Sequence, residues 1–294
     1  IPEYLDEIIF YLGKAYNFAW GSLKKNLLFN GNLENDYSDF DKYLKLFRYN
    51  FKSDTQELSG YSILKNKNII LAMDIGSNPD KKFSENYQGG PLSFEFFFQG
   101  NKLICNSGYY QDHNHQLNRI SKSTATQSTV ILDNSSVCNF TKTKYGTNII
   151  NKGFKTFNKN IINEKNFWSI KASHDGYLSK YGVIHERTLD IYTEKNKIIG
   201  KDKLIKKNNF KSSNFEIRFH LMPDTKVTKT QDGKSVLIEL ENSGWRFSSN
   251  LGHIGIETGL YFGKKNTYKE NQNIFISGVT QKEDQIIEWE LNKI

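Results

Sequence analysis

The sequence predicts a mainly β protein, a large antiparallel multi-sheet β-sandwich preceded by two short helices. Three observations carry that expectation. From Gly60 onward, short apolar or alternating runs recur with turn signals between them, and no helical segment separates them. The 294 residues, 37% hydrophobic and 14% aromatic, are enough to fill one large two-sheet core. The stretch Lys171–Tyr192 reads strand, turn, strand, and it holds two of the chain's six histidines.

In chain order, Pro2–Trp20 is apolar at helical spacing through Leu5, Ile8, Ile9, Leu12, Tyr16 and Ala19. Pro2 stands where a first helical turn tolerates it, Asp6 and Glu7 favour that turn, and Gly21-Ser22 end it. Asn30-Gly31 marks a turn, and Asp36–Arg48 reads as a second amphipathic helix with Phe40, Tyr43, Leu44 and Phe47 on one side. Residues 1–58 are assigned to this helical segment and 59–294 to the sandwich. Strands are expected at Tyr61–Leu64, Ile69–Asp74, Leu92–Phe98, Lys102–Asn106, Thr129–Leu132, Ile198–Leu204 and Phe215–Leu221. Val236–Leu240, Ile254–Phe262, Ile274–Ser277 and Ile286–Leu291 complete the set. Trp168-Ser169-Ile170 leads into the turn His174-Asp175-Gly176, where glycine is expected to supply a positive φ. Val183, His185, Arg187, Leu189 and Ile191 share one face of the strand that leaves it. The Asn- and Lys-rich Ser135–Lys165 reads as a long hairpin or excursion.

Net charge +8 favours anionic partners. The charge is spread along the chain without a basic block or a nucleic-acid motif, so nucleic acid is not the expected partner. No apolar run approaches the roughly 20 residues that cross a bilayer. Cys105 and Cys138 sit in strand-like contexts and read equally as a pair or as two buried thiols. The start at Ile1-Pro2 suggests part of a longer protein.

An ordered set of motifs then narrows the reading. It runs Gly60-Tyr61, Met73-Asp74-Ile75-Gly76, Gly90-Pro91-Leu92-Ser93-Phe94-Glu95, Cys105-Asn106-Ser107-Gly108 and Lys122 to Thr129 (KSTATQST). It continues through His174-Asp175-Gly176-Tyr177, Gly182 to Arg187 (GVIHER), Arg218 to Pro223 (RFHLMP) and Gly244-Trp245-Arg246-Phe247. This set resembles the C-terminal half of the heparinase II/III-like polysaccharide lyases, in a bacterial branch. The resemblance implies an N-terminal α/α toroid facing the sandwich across a cleft, an acidic polysaccharide substrate and a location in the cell envelope or periplasm. It implies β-elimination, with most of the reacting groups on the toroid, so that this chain alone is expected to be inactive. That chemistry needs a group to neutralise the uronate carboxylate, a base for the C5 proton and an acid for the leaving oxygen.

The resemblance also implies a histidine from the sandwich in the motif matched by Ser123–Thr129, and here that position is Gln127. An amide can hold a carboxylate or hydroxyl, but it cannot take a proton. His174, Tyr177, His185 and Arg187 join Gln127 as candidate catalytic residues, Arg187 suiting a carboxylate or sulfate. Each has a plain alternative: a hydrogen-bonded turn histidine, a polar strand residue, or an arginine paired with Glu186 or Asp190. Tyr109, Tyr110, His113, His115 and Arg119 form an aromatic and polar stretch suited to stacking on and binding sugars. The family resemblance implies a structural divalent metal in some members, for which His174 and Asp175 are two ligands where three or four are needed. No cofactor beyond that metal is expected.

Overall fold

The computed structural model describes residues 57–294 apart from 59, 145 and 264–266. The two helices expected within residues 1–58 lie outside the described residues. Antiparallel strands dominate the rest, as the alternation predicts.

The described residues open with five consecutive strands, β1 (Glu57–Leu58), β2 (Tyr61–Lys65), β3 (Ile69–Asp74), β4 (Phe94–Phe98) and β5 (Asn101–Cys105). A long connection carries the helix α1 (Gln116–Ser121) and ends in β6 (Val130–Leu132). A separate hairpin, β7 (Asn139–Lys142) with β8 (Asn148–Lys152), precedes β9 (Thr156–Asn163) and β10 (Phe167–His174). The short helix α2 (Leu178–Tyr181) leads to β11 (Val183–Tyr192) and β12 (Lys197–Lys206). The remainder is β13 (Asn214–Leu221), β14 (Lys226–Lys229), β15 (Ser235–Leu240), β16 (Ser243–Ser249), β17 (Ile254–Tyr261), β18 (Lys269–Val279) and β19 (Gln285–Lys293).

Two sheets result. The first runs β1-β2-β3-β4-β5-β13-β18-β17, with β6 added beside β13. The second runs β14-β15-β16-β19-β12-β11-β10-β9. Their facing sides meet in an aromatic layer. Phe94 stacks on Trp289 at 5.6 Å between ring centroids, Phe219 meets Trp289 and Phe247 at 4.7 Å each, and Phe96 and Phe98 bracket Trp245. Such offset and edge contacts add to the burial of these large side chains. Gly200 permits the layer: a β-carbon there would fall inside the Trp289 indole.

Three local expectations are revised. Gly176 does not take a positive φ; it is confined by Val137, and the left-handed residue of this connection is Gly182 (φ 64°), which ends α2. Part of the expected excursion is ordered as β9, the edge strand of the second sheet. The helix α1 was unforeseen because Gln116–Ser121 is too short for helical periodicity to show.

Candidate functional site

The histidines of Lys171–Tyr192 lie in the interior. Along β11 burial alternates strictly, so Val183, His185, Arg187, Leu189 and Ile191 face the first sheet, as expected. His174 and His185 are opposed across the β10–β11 pair, and Arg187 and Asp202 across the β11–β12 pair. All four side chains are fully buried.

Their hydrogen bonds form one directed chain. The Gly176 N–H donates to His174 Nδ1 (3.1 Å), so the ring proton sits on Nε2, which donates to His185 Nδ1 (3.1 Å). His185 Nε2 then donates to Asp202 Oδ1 (2.7 Å). Arg187 clasps the same carboxylate through Nε (2.7 Å) and Nη2 (3.1 Å), and Trp289 Nε1 donates to Oδ2 (2.9 Å). Arg187 Nη1 reaches across the core to the carbonyls of Leu92 (2.9 Å) and Ser128 (2.7 Å), the latter adjoining Gln127.

Burial lowers the pKa of both histidines, assisted by the Arg187 charge, and keeps them neutral. Burial alone would raise the Asp202 carboxyl; Arg187 and His185 more than offset it and hold the group below its usual range. Tyr177 is buried too, donating to the Val130 carbonyl (2.9 Å). Arg187 thus pairs with Asp202, not with Glu186 or Asp190. Ser173 and Lys171 engage Glu186, and Ser169 engages Asp190.

These residues do not fit a metal. His174 offers one nitrogen to Gly176 and the other to His185, and both Asp202 oxygens are taken by Arg187, Trp289 and His185. The Asp175 carboxylate accepts from the Lys155 N–H (2.7 Å). No cluster of three or more metal-ligating side chains is found among the described residues.

A second constellation covers the outer side of the first sheet. His220 alternates with the core residues Phe219 and Leu221, so it points outward, yet it is buried beneath the 106–129 connection. Its Nε2 donates to the Ala125 carbonyl (3.1 Å) and its Nδ1 accepts from Ser107 Oγ (3.1 Å). Burial, with Arg218 nearby, lowers its pKa to about 4. His220 thereby props the turn that ends in Gln127, a role its RFHLMP context did not reveal.

Gln127 is almost fully buried, and its Nε2 donates to Gln88 Oε1 (3.3 Å) and Thr126 Oγ1 (3.0 Å). Gly90 lets the loop come this close, since a β-carbon there would lie 2.6 Å from Gln127 Cγ. On the same loop, Glu85 lies 3.6 Å from His113 Nε2, and Asn86 Oδ1 accepts from the Tyr109 hydroxyl (3.1 Å). Asn118, fully buried, donates to the Tyr109 hydroxyl (3.0 Å) and the Tyr110 carbonyl (2.6 Å). Burial raises the Tyr109 phenol above its usual range. His113 Nδ1 and Asn118 Oδ1 are enclosed without a hydrogen-bond partner.

One loop therefore links Gln127, through Gln88, with Tyr109 and His113, through Asn86 and Glu85, and those three loop residues are ones that sequence reasoning missed. The structure separates His174, Tyr177, His185 and Arg187 from these residues as interior groups. His115 caps α1, its Nδ1 accepting from the Leu117 N–H (3.2 Å). Tyr110 is buried against Phe262 and the His115 ring, and Arg119 is exposed on α1.

Residues 52–290 match the family model described as Heparinase II/III-like, C-terminal. The chain is 25% identical over 248 residues to FtsZ-localized protein C of Caulobacter vibrioides, covering 80% of this chain and 42% of that protein. Among solved structures it superposes on heparan sulfate lyase HepC from Pedobacter heparinus with a TM-score of 0.68 at 14% identity, covering 87% of this chain and 41% of the lyase. It superposes on a heparinase III (the BT4657 gene product) with a TM-score of 0.66 at 12% identity, covering 89% and 42%. The chain thus spans less than half the length of each relative named.

Proposed function

The chain belongs to the heparinase II/III-like family, matching its C-terminal domain, and on that premise we propose that it is the sandwich half of a protein acting on acidic, uronate-containing polysaccharide. Its part is to hold the sugar at the Gln88–Gln127–Tyr109–His113 face. The observation that carries this reading is that Gln127, at the position where the resemblance expects a histidine, meets Gln88 of the loop whose Asn86 and Glu85 meet Tyr109 and His113.

The chemistry divides accordingly. In β-elimination the C5 proton passes to a base, its electron pair forms the C4–C5 double bond, and the C4–O bond breaks as the leaving oxygen gains a proton. Gln127 neither takes nor gives that proton, but its amide can orient the carboxylate or a ring hydroxyl. Tyr109, with its phenol held protonated, suits donation to an oxygen rather than proton abstraction. The base is assigned to a toroid half facing this surface in the longer protein, placed in the cell envelope or periplasm.

The test is the ultraviolet absorbance of unsaturated uronate ends when the whole protein meets a panel of acidic polysaccharides. A rise is expected, smaller in Gln127→Ala, and Gln127→His should increase it by restoring a proton acceptor. No rise from wild type or Gln127→His would overturn the lyase reading.

A second reading is favoured by Gln127 itself, together with similarity to a protein named for localization with FtsZ. It is a carbohydrate-binding or structural module of the cell envelope that performs no chemistry. Saturable glycan binding with no product would select it.

A further inference from the structure

Lys122, at the start of the KSTATQST motif, is fully buried. Its ammonium donates to the carbonyls of Glu85 and Asn148 (3.1 Å to the latter). It lies over two rings, 5.8 Å from the Tyr109 centroid and 5.3 Å from that of Phe140. No carboxylate stands within ion-pair distance of it among the described residues. Its backbone serves the same loop, for Gly89 N–H donates to the Lys122 carbonyl (3.0 Å) and Thr124 Oγ1 to the Gly89 carbonyl (2.6 Å). One cation thus fixes the loop of Glu85, Asn86 and Gln88 behind the face that holds Gln127.

We propose that Lys122 is a positioning and specificity-determining residue, a positive charge set behind the sugar-holding face that selects acidic over neutral sugar. The proposal deepens the reading given above and rests on it. A buried cation without a bonded carboxylate projects its field through a low-dielectric wall, where charge acts more strongly than in water. A merely structural plug needs no charge, since apolar replacement of buried ionic groups is often neutral or stabilising.

Burial lowers the ammonium pKa to about 8, against a smaller raising effect from Glu85. Between about 8 and the unfolded value of about 10.4 the unfolded chain binds the extra proton, so the buried charge costs stability at neutral pH. The other titratable groups facing this locus are Glu85, lying against His113, the Tyr109 phenol and the Cys138 thiol near Gly89. Burial raises the phenol and raises the thiol to about 12, so both stay neutral as Lys122 loses its proton.

The test is the affinity of the whole protein for a uronate oligosaccharide and for its neutral, carboxyl-reduced counterpart, measured from pH 6.5 to 9.5 at fixed ionic strength. The acidic ligand should lose about tenfold in affinity as pH rises through about 8, while the neutral one stays level. Lys122→Arg, which does not titrate there, should hold the acidic preference at high pH, and Lys122→Met should lose it at every pH. An equal pH response to both ligands, or the wild-type response persisting in Lys122→Arg, would overturn the selector alone. Failure of wild type to bind either oligosaccharide would overturn the sugar-holding reading and the selector with it.

Discussion

Arg187 neutralises Asp202 and ties the second sheet to the carbonyls of Leu92 and Ser128. Arg187→Leu strands a buried carboxylate and should cost about 3–5 kcal/mol in denaturant unfolding. The neutral histidines predict a pH dependence of definite sign. Their folded pKa values lie below the unfolded value of about 6.5, so the unfolded chain gains protons first as pH falls. Stability should be full above about pH 6.5 and decline below it, as thermal melts across pH 4–8 would read. The alternation of β11 made the inward faces of His185 and Arg187 legible in the sequence. Asp202 was not, because GKDKL looks like a solvated polar run until strand register sets Asp202 opposite Arg187.

At the scale of elements, the strands were legible wherever apolar residues alternate. The cover over the first sheet was not, because its 106–129 connection is held by hydrogen bonds between residues far apart in sequence. Ser128 Oγ bonds the Cys105 carbonyl (2.6 Å) and accepts the His220 N–H (2.9 Å). The motif order located Gln127, but nothing local reveals that Gln88, 39 residues away, meets it. Two glycines test the packing. Gly200→Ala forces Trp289 from the aromatic layer and should destabilise by about 1–3 kcal/mol. Gly90→Ala should displace Gln127 and weaken glycan binding, because an added β-carbon falls against the Gln127 side chain rather than in the aromatic layer between the sheets.

For the whole molecule, the ionic network is enclosed between the sheets, and the polar face lies outside the first sheet under its cover. Chemistry read from side-chain type alone placed both groups at one site; the fold divides them into a brace between the sheets and a cluster held by the 85–90 loop and the 106–129 connection. On the proposed reading, that cluster is the part the sandwich contributes to sugar binding. The most direct test of the central claim is calorimetric titration of the whole protein with a uronate oligosaccharide, comparing wild type with Gln127→Ala. Saturable binding is expected, weaker by about tenfold in Gln127→Ala, as for loss of a hydrogen bond to a charged group, with the variant still unfolding cooperatively. Binding of equal strength in both proteins, or none in either, would contradict that claim.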